Sequence, residues 1–171
     1  NNGFSKIPAY GPLPVSVPGC VDGWFEMQEK FGNLNMKQIL KPAINYAENG
    51  FPVSELVSYY LGISAKNFGK YPNFNETYLI NGFSPKKGQI FKNKDLANTL
   101  RIISHEGRSG FYEGKIAKIM SDFIINQGGF LSYEDLKNHK SDWIEPVSTN
   151  YRGYDVWELP PNGQGLSLIH I

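Results

Sequence analysis

Apolar residues recur along most of the chain at the spacing of an α-helix, and only near its end at the spacing of strands. Pro18 suits the first position of a helix, and Val21, Trp24, Phe25, the stem of Gln28 and Phe31 follow at helical intervals up to Gly32. Met36, Ile39, Leu40, Ala43, Ile44 and Ala47 form a second apolar stripe, with Asn35 as an N-cap and Gly50 as a stop. Pro42 falls inside it, so a kink or two short helices are expected there. Ser54 caps a third helix carrying Leu56, Tyr59, Tyr60 and Ile63. Residues 67–91, punctuated by Gly69, Pro72, Gly82, Pro85 and Gly88, read as a packed aromatic loop.

Two further helices follow. Leu96, Leu100 and Ile103 line one that Gly107 ends, and Ile116, Ile119, Met120, Phe123 and Ile124 line one that Gly128-Gly129 ends. Ser132 with Asp135 has the form of a capping box before a short helix. After Ser141 the texture changes. Trp143 to Tyr151 and Tyr154 to Leu159 are rich in β-branched and aromatic residues and read as a hairpin turning at Arg152-Gly153. The expected class is α+β, mainly helical, with a C-terminal β-hairpin.

The 171 residues suffice for one domain with a core, and an apolar fraction of 40% fits a globular chain. No apolar run reaches the roughly 18 residues of a membrane-spanning helix. The net charge is +1 with scattered basic residues, which gives no nucleic-acid stripe. The one cysteine, Cys20, rules out an internal disulfide framework.

Candidate chemistry is sparse. His105, His139 and His170 lie in separate segments with no ligand spacing to another His, Cys or carboxylate, and are read as solvated or dipole-favoured. Ser104 and His105 are neighbours on a helix and cannot face each other. Cys20 is read as a buried inert thiol, and Asp22, Glu26 and Glu29 as a solvated helix face. Gly163-Gln164-Gly165 is a weak anion-cradle signal, at least as well explained by a tight turn. No catalytic, substrate-binding or metal residue is therefore assigned, and no cofactor is expected.

Several motifs in order resemble one family. These are Val17-Pro18-Gly19 before a helix; Phe31-Gly32, Leu40, Pro42-Ala43, Ala47-Glu48 and Gly50-Phe51-Pro52-Val53; Leu96, Thr99-Leu100, Ile103, Gly107, Gly110-Phe111-Tyr112, Gly114 and Ile116-Ala117. Gly128-Gly129, Leu131 and Asp135-Leu136 follow, and then Trp143, Pro146, Tyr151-Arg152-Gly153-Tyr154, Val156, Pro160-Pro161 and Gly163-Gln164-Gly165. From about Tyr10 to Gly165 the chain resembles the large subunit of bacterial gamma-glutamyltranspeptidases.

The resemblance implies an N-terminal-nucleophile hydrolase, a four-layer αββα sandwich whose precursor cuts itself. It implies that the new N-terminal Thr of a small subunit attacks γ-glutamyl amides such as glutathione, with its own amine as general base. That Thr belongs downstream of Gly165 and the family's glutamate-binding Arg upstream of Asn1; Arg101, Arg108 and Arg152 do not match its motif. The implied partners are a γ-glutamyl small molecule and the small subunit of the same precursor, with no nucleic acid. The implied location of the parent is periplasmic or secreted.

The chain is accordingly read as a partial large-subunit region over 1–165, inactive alone. Residues 166–171, Leu-Ser-Leu-Ile-His-Ile, are read as a translated sequencing adapter. Other expectations left open are another amidase of the same superfold, such as a cephalosporin-type acylase or a poly-γ-glutamate-processing enzyme, and a non-catalytic helical interaction module.

Overall fold

A computed structural model describes residue 3 and residues 5–160, in two compact units divided after His139. The adapter reading of 166–171, the turn at Gly163–Gly165 and His170 all lie outside the described residues.

The first unit is helical: α1 (Cys20–Phe31), α2 (Met36–Asn49), α3 (Glu55–Phe68), α4 (Phe74–Tyr78), α5 (Lys94–Tyr112), α6 (Lys115–Asn126) and α7 (Tyr133–Lys137). Local chemistry sets most of the boundaries. Asn35 and Gln38 close a reciprocal capping box at the start of α2, and Ser132 and Asp135 do the same for α7. Two bonds from Ser132, through its hydroxyl and its backbone N–H, hold the Asp135 carboxyl below the usual range. Ser54 accepts from the Val57 N–H at the head of α3.

Three expectations change. α1 begins at Cys20 rather than Pro18, with Gly19 as its N-cap. α2 runs as one helix through Pro42, so the loss of one donor does not divide it. Gly107 breaks the regular geometry of α5 (φ 72°, ψ −157°), but helix resumes beyond it to Tyr112. That resumed turn carries the residues on which the polar site below depends.

The core lies where α2, α5, α6 and α7 meet. Leu40, Leu100, Ile103, Phe111, Tyr112, Ala117 and Leu136 are all buried in one cluster. Of the apolar residues expected to line the helices, Trp24, Phe31, Ile39, Leu96, Ile119 and Phe123 are exposed instead, and Ala97 and Ala117 fill the close contacts. α3 buries no residue at all; Leu56, Tyr59 and Tyr60 are each more than half exposed.

Residues 67–91 are packed, as the aromatic spacing implies, yet they are not all loop. They contain α4 and a strand β2 (Ile90–Phe91), which pairs antiparallel with β1 (Phe51–Pro52) in the register Phe51↔Phe91 and Pro52↔Ile90. Tyr10, Phe68, Phe74 and Tyr78 stand in a series of ring contacts with centroids 5.1, 6.1 and 5.0 Å apart.

Gly50 explains how β1 reaches β2. Its φ is 92°, and a Cβ there would stand 2.4 Å from Ile90 Cγ2 and 2.9 Å from the Phe91 carbonyl oxygen. Gly50→Ala should therefore cost about 2–4 kcal/mol, combining a left-handed backbone with an overlap that must be relieved. Gly23, inside α1 with open space around it, is the control: Gly23→Ala should stabilise by about 0.5–1 kcal/mol. Urea midpoints at constant m would check both.

The second unit holds an antiparallel hairpin of β3 (Val147–Tyr151) and β4 (Tyr154–Glu158). Arg152 and Gly153 turn it with φ 53° and 89°, the two left-handed residues of a two-residue hairpin turn. The strands are shorter than expected at the start, since Trp143 to Pro146 are irregular. Helices with two small antiparallel sheets give a mixed architecture, in agreement with the α+β expectation.

Candidate functional site

Asp22 is the one buried carboxylate among the described residues, at 2% exposure in the first turn of α1. Sequence reading placed it on a solvated face with Glu26 and Glu29; only Glu29 is open to solvent there. The face of α1 that packs inward runs through Val21 and Asp22. Cys20, read as buried, is exposed for the same reason, being rotated away from that face.

The partner of Asp22 comes from the resumed turn of α5. Arg108 Nε donates to Asp22 Oδ1, and the same guanidinium donates through Nη2 to the carbonyl oxygen of His139, just past α7. Its Nη1 stands 3.6 Å from Glu113 Oε1. Arg108 and Tyr112 are four residues apart and share one side of the helix, and the guanidinium carbon lies 4.8 Å from the Tyr112 ring centroid. The Phe111 ring stands 4.9 Å from that of Tyr112 at 79°, and the His139 ring 5.4 Å at 32°.

Tyr112 is fully buried. Its hydroxyl donates to the Pro18 carbonyl at 2.7 Å and accepts from the Asp22 N–H at 3.1 Å. Burial pushes its pKa above the ordinary tyrosine value; the Asp22 N–H and the Arg108 charge pull the other way without reversing it. Two groups of the Val17-Pro18-Gly19 segment are thereby fixed. Pro18 presents its carbonyl to Tyr112, and Gly19 lets the His139 ring close in, since a Cβ on Gly19 would stand 2.9 Å from His139 Nε2. His139 was read as a solvated histidine; its Nε2 is buried without a hydrogen-bond partner.

Chemically this arrangement is a clamp. The carboxylate and guanidinium neutralise each other, and the tyrosine hydroxyl is occupied on both sides. It ties α1, α5 and α7 together through polar bonds inside an apolar core. Ser104 Oγ donates to the Arg101 carbonyl, while His105 is exposed. Arg101 pairs with Glu48 of α2, and Arg152 sits in the hairpin turn over the Tyr151 ring. Among the described residues no group of His, Cys, Asp and Glu could hold a metal ion, and no helix is long and apolar enough to cross a membrane.

The clamp was not legible in sequence. Asp22 and Arg108 are 86 residues apart, and neither sits in a local pattern that points to the other. The signal present was indirect: Pro18-Gly19 and Phe111-Tyr112 were both recognised as motif residues, and the clamp is where those motifs meet.

Comparison with known proteins fits this correspondence. The gamma-glutamyltranspeptidase family model matches residues 1–171. The chain is 37% identical over 166 residues to the glutathione hydrolase-like YwrD proenzyme of Bacillus subtilis, covering 96% of the chain and 32% of that protein. Among solved structures, gamma-glutamyltranspeptidase of Helicobacter pylori superposes with a TM-score of 0.88 at 32% identity, over 95% of this chain and 47% of that one. Cephalosporin acylase from Bacillus halodurans superposes with a TM-score of 0.90 at 37% identity, over 96% of this chain and 32% of that one. The chain spans about a third or less of the length of the curated relatives it matches.

Proposed function

The chain belongs to the gamma-glutamyltranspeptidase family, and from that premise we propose that it is part of the large-subunit region of a precursor that cleaves γ-glutamyl amides such as glutathione. Members of the family are hydrolases and transpeptidases. In the proposed reaction an N-terminal Thr of the small subunit, freed by self-cleavage, forms an acyl-enzyme that water or an amino acid resolves. The hydroxyl needs its own α-amine as base, and the tetrahedral oxyanion needs backbone donors.

The observation that carries this reading is the family match over residues 1–171. This chain's part in the reaction is to hold the helical layer in place, with the Asp22–Arg108–Tyr112 clamp fixing the start of α1. The remainder of the precursor is the proposed partner. Its support is the exposed apolar side chains of α3 and the one-third coverage of the relative. The same reading places the parent in the periplasm or outside the cell, to be checked by fractionation.

A second reading has its own support. The cephalosporin acylase structure matches at 37% identity, so the acyl group cleaved could be other than γ-glutamyl. The precursor, expressed from the native locus, separates the two. Release of anilide from γ-glutamyl anilide, with little from a cephalosporin amide, is the expected result; the reverse preference sinks the γ-glutamyl assignment. The 171-residue chain alone should release none from either, and turnover that purifies with it would refute its scaffolding role.

A further inference from the structure

Two Asn-Gly pairs stand in the described residues, and the fold treats them in opposite ways. Asn49-Gly50 ends α2. The Gly50 N–H donates to the Tyr46 carbonyl at 2.9 Å, and the Asn49 side-chain amide donates to Asn45 Oδ1 at 2.7 Å. Both groups that would have to react are held. Asn81-Gly82 turns the short link between Ile80 and Phe83, with φ 52° and 81°. Only two backbone bonds close it, Ile80 N–H to the Phe83 carbonyl at 2.8 Å and Phe83 N–H to the Ile80 carbonyl at 3.1 Å. Asn81 and Gly82 are exposed, and among the described residues nothing accepts from the Asn81 amide or the Gly82 N–H. A Cβ on Gly82 would meet nothing within 4 Å, so a ring closing there has room.

We propose that Asn81 is a site of spontaneous covalent modification, through a cyclic imide, and that Asn49 is protected from it. The Gly82 backbone nitrogen attacks Asn81 Cγ. An N–Cγ bond forms, the bond from Cγ to the side-chain nitrogen breaks, and ammonia leaves with the proton lost by the Gly82 nitrogen. Solvent water then opens the imide at either carbonyl. One opening gives aspartate; the other gives isoaspartate, in which the main chain runs through the former side chain and is one carbon longer.

At Asn81, among the described residues, neither reacting group is held by a hydrogen bond, so the attack breaks none of its own. At Asn49 both reacting groups are bonded and must be released first. The consequence at Asn81 is local and large. A two-residue turn has no room for an extra main-chain carbon, so isoaspartate uncouples Ile80 from Phe83. A new carboxylate also appears in the cleft that Asn81 lines together with Ser58, Lys86 and Lys87.

The test is peptide mapping of the full chain after incubation at mildly alkaline pH, natively and in denaturant. Trypsin separates Asn81, on 71–86, from Asn49, on 38–66, and from Asn162. Fragment masses locate the amide-to-acid change, and isoaspartyl methyltransferase labelling counts the isoaspartate. Natively, Asn81 should convert at least about tenfold faster than Asn49, because two hydrogen bonds of ordinary strength protect the latter. In denaturant the two rates should converge. Asn81→Gln should remove the labelling from peptide 71–86, with only a small fall in the urea midpoint from the left-handed φ of 52° that Asn tolerates better. Equal native rates, a faster Asn49, or a native Asn81 that stays intact while the denatured one converts would each overturn the proposal.

Discussion

Arg108→Ala should destabilise the chain by about 3–5 kcal/mol, the cost of removing one member of a buried ion pair. Asp22 is the member left behind, with its side chain 3% exposed, while the Arg108 side chain is 30% exposed and reaches solvent. The loss is therefore asymmetric: a solvated guanidinium disappears and a desolvated carboxylate remains. The His139 carbonyl loses its donor in the same change.

The pair itself is a different quantity from the cost of breaking it. Removing both charges, as Asp22→Asn with Arg108→Met, should recover part of the loss, because neither residue then leaves a buried charge. A double-mutant cycle in urea measures that recovery as a coupling energy, expected at about 1–3 kcal/mol. The coupling should change little with added salt, since a buried pair is weakly screened. An Arg108→Ala loss below about 1 kcal/mol, additive with Asp22→Asn, would mean that solvent already reaches the carboxylate.

Sequence reading recovers what local chemistry decides. The caps at Asn35 and Ser54 and the capping box at Ser132 are visible because each is closed within four residues; that Gln38 makes the Asn35 cap reciprocal is not. The turn at Arg152-Gly153 was visible because two left-handed residues must fall together. It fails where the deciding partner is far along the chain. Asp22 was read as solvated because an unpaired buried carboxylate is prohibitive, and its pairing atom comes from α5. β1 and β2 were missed because each is two residues long, too short for any period to register.

α3 marks a different limit. Its apolar stripe is legible, but a stripe does not say what covers it, and among the described residues nothing buries Leu56, Tyr59 or Tyr60. Gly107 shows a third. A glycine there was read as the end of a helix, as it commonly is; the helical turn that resumes beyond it is held by the burial of Gly110, Phe111 and Tyr112 in the core, which no local pattern announces. The clamp depends on that turn, so the feature least legible in sequence is also the one that organises the start of α1.

Tyr112→Ala should cost about 3–5 kcal/mol, as for other fully buried aromatic rings. Tyr112→Phe divides that figure. The ring and its contacts with Phe111, Arg108 and His139 remain, and only the hydroxyl is lost. The Pro18 carbonyl then lacks its donor and the Asp22 N–H its acceptor, which should cost about 1–3 kcal/mol. The pH dependence isolates the same hydroxyl. An unfolded tyrosine ionises near pH 10, whereas burial holds the folded Tyr112 proton to higher pH. Its contribution is therefore fully present below pH ~10 and is lost as the pH rises through the folded value. Urea midpoints of the native chain should fall more steeply than those of the Phe variant above pH ~10. Parallel curves for the two proteins would show that Tyr112 ionises as freely folded as unfolded, and that its hydroxyl does not hold the Pro18 segment in place.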